Sequence, residues 1–441
     1  MNKKSFLMLG VALLFQSMLL FGGAQQEGQS GDSVETIRFA AFQGGYGVDF
    51  WNQSVERFEA GNPNIDVDAI YSPKIFEIIK PQILAGDPPD VCYWGDSPLF
   101  HQLIQEGAVH SLSDLFETEA PDGKGKFKDI FMEGMLDNCK VRGDDNIYWA
   151  PVSFGGLGLW CNMALLEENG WEVPNTWDEF FELGHKAKAK GIASFIYPGI
   201  YPNYISIAMW SSIAQIGGME AVNALLTCQD GAYKQEALLK VYKYMERIHK
   251  EGLLYEPCIG MNHTQSQSEF LNGKALFLPG GTWLENEMKD VQPPQYEYKY
   301  VIPFAEKKNA KRYYGTIYED VWINAGTNTE SAEKFVKSLY SEENVLDFVK
   351  TCGGLMPIKG IQEIAGDYMS QSLKSWVNEI TEKDAQAFTI KPIVLPNTVT
   401  LNPFVEMEKM YGAIITGEKT PEEACEELEA MNQDVRAALG N

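Results

Sequence analysis

At 441 residues, 45% of them hydrophobic and 22% charged, the chain is globular and too long for one compact core, which predicts two or three domains. Acids outnumber bases 61 to 36, for a formal charge of −25. A chain of that sign repels phosphate backbones and anionic head groups, which argues against nucleic-acid partners and charge-driven membrane binding.

The chain opens with a targeting segment. Lys3 and Lys4 precede an apolar stretch from Phe6 to Phe21, and Gly22-Gly23-Ala24 offers small residues for a cut after Ala24. Residues 1–24 are therefore read as a signal peptide, and the mature protein as exported. Seven cysteines are scattered without a C-x-x-C pair, and none lies near the cut to carry a lipid.

A polar leader, "QQEGQSGDS" (25–33), comes next. "ETIRFAAF" (35–42) alternates as a strand, and Trp51, Val55 and Phe58 give the following segment helical spacing. "IDVDAIY" (65–71) is a second strand, "FEIIKPQILAG" (76–86) a helix and "DVCYW" (90–94) a third strand. This β-α-β-α-β order predicts a parallel sheet with crossover helices. Its strand ends carry Phe42-Gln43-Gly44, Tyr71 and Trp94-Gly95-Asp96, where ligands bind in such sheets.

A turn at 143–146 joins two short strands, the second ending in "IYWAPVSFGGLGLWCN" (147–162). Residues 163–290 read as mostly helical. Thr176 and Glu179 fit a capping box, and a long helix fills 235–252. In "FLPGGTWLENEM" (277–288), Pro279 and the two glycines are expected to stop a strand, and Thr282 to cap a helix that holds Trp283 in its first turn. Trp283 there is equally a ligand contact or packing over a helix end. "YKYVIPF" and "YYGTIYEDVWINAG" read as strands, and "ESAEKFVKSLYS" (330–341) as a helix. The remainder is taken as helical, ending in "TPEEACEELEAMNQDVRAAL" (420–439).

No enzyme signature appears with the spacing its chemistry needs. G-x-S-x-G, H-E-x-x-H, the phosphate loop and a complete G-x-G-x-x-G are all absent, and the five histidines do not cluster. Adjacent acids such as Glu319-Asp320 point to opposite faces of a strand, so the pair cannot flank one glycosidic bond. Neither a catalytic residue, a metal nor a cofactor is assigned. The aromatic and amide-rich strand ends suit a sugar instead, whose C–H face stacks on a ring while acids and amides take its hydroxyls.

An ordered series of segments carries a family resemblance: "RFEAGNPNIDVDAIY" (57–71), "ILAGDPPDVCYWGDSPLFHQLIQEGAVHSLSDLF" (83–116), "IYWAPVSFGGLGLWCNMALLEENGWEVPNTWDEF" (147–180), "SEFLNGKALFLPGGTW" (268–283), "VWINAGTNTESAEKFVKSLYSEE" (321–343) and "TGEKTPEEACEEL" (416–428). The chain resembles the family 1 extracellular solute-binding proteins of ATP-driven importers, the group that includes maltose-binding protein. It departs from the family pattern at Trp160-Cys161-Asn162-Met163, where Tyr-Asn-Lys is usual, and in lacking a lipidated cysteine.

The resemblance implies an α/β, two-lobed periplasmic-binding-protein fold with hinge strands and a central ligand cleft. The lobes are expected at 25–153 plus 303–340 and at 154–302 plus 341–441, with crossings near 150–156, 299–304 and 338–345. It implies a periplasmic monomer that takes a mono- or oligosaccharide and delivers it to a membrane permease. By the same resemblance Trp283, beside Gly281, becomes the stacking aromatic, and Gly280 and Gly281 would let a ligand ring approach the backbone. Phe42, Gln43, Gly44, Tyr71, Trp94 and Asp96 form first-lobe ligand loops. Glu319 or Asp320, with Trp322, reaches the cleft from "YEDVW" (318–322), and Phe154, Tyr201, Tyr204 and Trp210 are second-lobe candidates. Two other readings stay open: a ferric-ion or polyamine receptor of the same fold, suggested by Tyr313-Tyr314 and the acids, and an exported glycoside-acting enzyme.

Overall fold

The computed structural model describes residues 34–94, 98–141, 144–292, 298–393, 395–396 and 398–440. The signal segment, Gly95 and Asp96 lie outside the described residues. Nine strands form one hydrogen-bonded sheet: β1 (Glu35–Phe42), β2 (Ile65–Ser72), β3 (Val91–Trp94), β4 (Ala150–Asn162), β5 (Ala193–Phe195), β6 (Ala275–Gly281), β7 (Tyr298–Val301), β8 (Tyr313–Ile323) and β9 (Gln386–Thr389). Their order is β2-β1-β3-β8-β4-β6-β5, with β7 added to β4 and β9 to β8.

β1 is parallel to β2 and to β3, as the β-α-β-α-β pattern predicts. Strand alternation sorts the side chains here. Ile37, Phe39, Val91, Tyr93, Val321 and Ile323 face one core, under the helices Asp49–Gly61 and Thr329–Ser338, while Ala40, Cys92 and Trp322 face a second core with Ile75, Ile79 and Phe100. Both faces of this half of the sheet are thus covered.

β4 and β8 tie the two halves together. The C-terminal end of β8 pairs with β3, and its N-terminal half pairs with β9. β4 runs antiparallel to it, meeting β8 through Leu157 and then β6 and β7 beyond. A bulge between Pro151 and Ser153 shifts the register where the strands leave the first half. All 13 residues of β4 are buried, and its glycines admit bulky neighbours: a side chain at Gly156 would collide with the Trp376 indole.

Three local expectations need correction. β6 continues through Pro279-Gly280-Gly281, because β5 reaches no further than Phe277 and Pro279 therefore sits on an edge with only β4 beside it. Thr282 does not cap the next helix. That helix is Leu284–Met288, Trp283 occupies its N-cap position without a side-chain cap, and Thr282 is buried. The segment after 341 is not all helical, since Gln386–Thr389 adds a parallel strand to β8.

Other signals match the structure. The capping box expected at Thr176/Glu179 is present, and the structure adds a second at Thr420/Glu423. The unusual Asn162 is buried and accommodated, capping the helix Met163–Asn169 through Leu165 N–H and donating to the Phe270 carbonyl at 3.1 Å. The helix Glu342–Cys352, expected with the second lobe, packs on the first-half helix Asp49–Gly61. Arg57 donates to Asn344 at 2.8 Å and to Asp347 at 2.6 Å, and Ser54 to Asn344 at 3.1 Å. Further along, Phe154 N–H donates to the Leu355 carbonyl at 2.7 Å.

Candidate functional site

The C-terminal ends of the parallel strands β1 and β3 open into a cavity of about 440 Å³, beside the point where β1 has neighbours on both sides. Phe42 and Trp94, the last residues of these strands, meet edge to face at 4.6 Å and form one wall with Met135, Asn138, Cys139 and Trp149. The floor is β8 from Thr316 to Asp320. The C-terminal part of the chain completes the lining with Thr389, Ile390, Lys391, Phe404 and Glu408.

The aromatic walls are held from behind. Phe154, opposite Tyr318 in the β4–β8 ladder, stacks on it at 5.7 Å, and Trp210 stacks behind Phe404 at 5.8 Å. Glu319 and Asp320 diverge, as adjacent strand residues must. Tyr93 donates its hydroxyl to Glu319, whose carboxyl burial raises above its usual range, an effect that bond partly offsets. Lys391 lines the cavity, donating to the carbonyls of Asn138 and Lys140, each at 2.8 Å, with its ammonium 4.6 Å over the Trp149 ring.

The structure therefore gathers Phe42, Trp94, Glu319 and Asp320 at one cavity and leaves other predicted residues elsewhere. Phe154 and Trp210, the latter 1% exposed, act from the second layer and do not line the cavity. Trp322 is 4% exposed and packs on Phe100 at 4.8 Å, because alternation along β8 turns it into the second core. Tyr71 caps the core edge-on to Phe39, and burial pushes its hydroxyl up to about 12. Gln43 is exposed, with its backbone bonded to Ser72.

Gly45 and Trp283 mark a second contact region between the halves, with Gly44 and Tyr204 close to it. The Phe42 ring lies over the Gly44 Cα, leaving no room for a side chain there. Next to it, a side chain at Gly45 would come within 3.1 Å of Trp283, and Asn286 donates to the Gly45 carbonyl. The space beside Gly281 is filled by the Trp283 ring itself, so that glycine admits the protein's own indole rather than a ligand ring. Nearby, Gln267 donates to Glu287 at 2.6 Å, and burial raises the Glu287 carboxyl; burial, with Glu287 adding, also raises the Tyr204 hydroxyl. Tyr201 is 42% exposed and 6.0 Å from the His263 ring.

The residues missed from sequence are Trp149, Tyr318, Lys391, Phe404 and Glu408. Tyr318 stood within the "YEDVW" motif and shares a strand face with Asp320. The alternation of "FTIKPIV" (388–394) carried a strand signal that would have drawn attention to Lys391. Phe404 and Glu408 had no local signal beyond their spacing of four, one helical turn.

Comparison with known proteins identifies the architecture. Residues 44–346 match the model of the bacterial extracellular solute-binding protein family. The diacetylchitobiose binding protein NgcE of Streptomyces coelicolor is 27% identical over 351 residues, covering 77% of this chain and 73% of that one. The multiple sugar-binding protein of Streptococcus mutans is 24% identical, covering 70% and 72%. Among solved structures, a chitin oligosaccharide binding protein superposes with a TM-score of 0.74 at 19% identity, covering 92% of this chain and all of that one. The raffinose complex of RafE gives 0.70 at 20% identity, covering 91% and 99%. These neighbours share the two-lobed α/β fold, with β4 and β8 as the strands that join the lobes here. The match spans most of the chain, and the chain belongs to the bacterial extracellular solute-binding proteins.

Proposed function

We propose that this protein captures a carbohydrate between its lobes and delivers it to the membrane permease of an ATP-driven importer. The observation that carries the reading is the cavity, lined by the rings of Phe42, Trp94, Trp149 and Phe404 together with the acidic residues Asp320 and Glu408. Sugar-binding relatives support it, two of them named for diacetylchitobiose and for multiple sugars. Titration calorimetry against a panel of mono- and oligosaccharides is expected to find micromolar or tighter binding. A panel without binding, or tight binding of ferric ion or spermidine in its place, would reject it. Tyr313 and Tyr314 do not favour iron: both are buried in the β8–β9 pairing and neither lines the cavity.

Binding is proposed to occur without turnover, so an oligosaccharide incubated with the protein should be recovered intact. The protein is further proposed to act as a periplasmic monomer after cleavage near Ala24. Among the described residues no helix is long and apolar enough to cross a membrane. We also propose that the first lobe includes the segment 342–365, which packs against Asp49–Gly61, so the last crossing follows it.

Closure has a physical handle in this reading. Side-chain donors from the second lobe, Lys391 and Asn286, hold main-chain carbonyls of the first. Lys391→Met keeps the stem and removes its two charge-assisted bonds, each of which is worth roughly 1.5–3 kcal/mol. Ligand release measured by stopped flow should accelerate at least about tenfold. An unchanged rate would show that Lys391 does not hold the lobes together.

A further inference from the structure

Rings wall the cavity, but its charged groups are unbalanced. Three acidic residues are among those that line it, Glu319, Asp320 and Glu408, with the Glu319 carboxylate turned to the other face of β8, against one base among the described lining residues, Lys391. The Lys391 ammonium is already engaged by two carbonyls and the Trp149 ring. Glu319 accepts from Tyr93.

Glu408 is placed differently. It lies one turn after Phe404 on the helix Pro403–Ile415, so ring and carboxylate project to the same side. Trp210 stacks behind Phe404, and Gly412, a further turn on, abuts Pro202, which seats this helix against the one beginning at Asn203. No described residue gives Glu408 a hydrogen bond or an ion pair. A half-buried carboxylate on an apolar wall is costly unless a partner neutralises it.

Resting on the carbohydrate reading, we infer that the cavity selects a sugar bearing a protonated amine, an unacetylated amino-sugar oligomer, with Glu408 as the group that recognises the ammonium. The pyranose face meets Phe404 while the amine substituent meets the carboxylate one turn away. A hydroxyl or an acetamide at that place supplies a hydrogen bond but no counter-charge. Burial alone pushes the Glu408 carboxyl up to about 7, in keeping with a charge that the protein itself leaves uncompensated. The formal charge of −25 favours the approach of a cationic ligand.

The test is calorimetric titration of the full mature chain with three β-1,4-linked oligomers of equal length, built from glucosamine, N-acetylglucosamine and glucose. The glucosamine oligomer is expected to bind at least tenfold tighter than either neutral one. Glu408→Gln should cut that ratio at least tenfold, with thermal melting used to verify the fold of the variant. A neutral oligomer that binds as tightly as the glucosamine one, or a ratio that survives Glu408→Gln, overturns the inference and leaves carbohydrate capture standing. Putrescine binding as tightly as the sugar overturns it by showing that charge alone is recognised. Binding of none of the three oligomers overturns the inference, while carbohydrate capture itself stands or falls on the wider sugar panel.

Discussion

Trp94→Ala is expected to weaken ligand binding about thirtyfold, roughly 2 kcal/mol, the scale of a buried aromatic anchor. Trp94 ends β3, is half-buried, and meets Phe42 at 4.6 Å on the cavity wall. Its loss removes one face of the slot and frees Phe42 to move into the gap. The effect should appear in the dissociation constant measured by calorimetry. Tyr201→Ala is the comparison: this ring is exposed and does not line the cavity, so its removal should change affinity less than about threefold, within the usual range for surface substitutions. The reverse ranking would move the site to the Trp283–Tyr204 side of the molecule.

Trp376→Ala is expected to destabilise the fold by about 3–5 kcal/mol, the usual cost of deleting a large core aromatic. Trp376 is fully buried on the helix Gln371–Glu382, with Phe154 at 5.2 Å, Tyr300 at 6.4 Å and Tyr314 at 6.5 Å. It lies over Gly156, in the middle of a strand that joins the lobes. Truncation therefore leaves a cavity under the hinge itself and loosens Phe154, which supports Tyr318 in the site. Urea denaturation measures the loss directly. A change below about 1 kcal/mol would mean that the surroundings collapse into the space.

Much of this architecture was legible because its causes are local. The strands β1, β2 and β3 alternate, their helices carry apolar residues at turn spacing, and the helix Trp177–Lys188 announces itself with a Thr-x-x-Glu box. Phe42 and Trp94 were visible for the same reason: they close parallel strands, and such ends face ligands in α/β sheets. The Pro279-Gly280-Gly281 run misled because its meaning depends on a neighbour. With β5 ending at Phe195, opposite Phe277, a missing N–H at Pro279 costs nothing, and the strand runs on. Gly281 misled likewise, since only the three-dimensional structure shows the Trp283 ring folded onto it.

The C-terminal part of the cavity lining was not legible. Phe404 and Glu408 line the same cavity as Phe42 and Trp94 from more than 300 residues further along the chain, and nothing near them in sequence marks it. Trp322 shows the converse limit. Its motif pointed to the cleft, but strand alternation and the helix carrying Phe100 decide that it is core.

A sugar ring held in the cavity lined by Phe42, Trp94 and Phe404 would be visible in a crystal structure of the protein with a bound oligosaccharide. Electron density for at least one pyranose against those rings, with a polar substituent within hydrogen-bond reach of Glu408 or Asp320, is the predicted result. Density confined to the Trp283–Tyr201 side, with the cavity filled only by solvent, would contradict it.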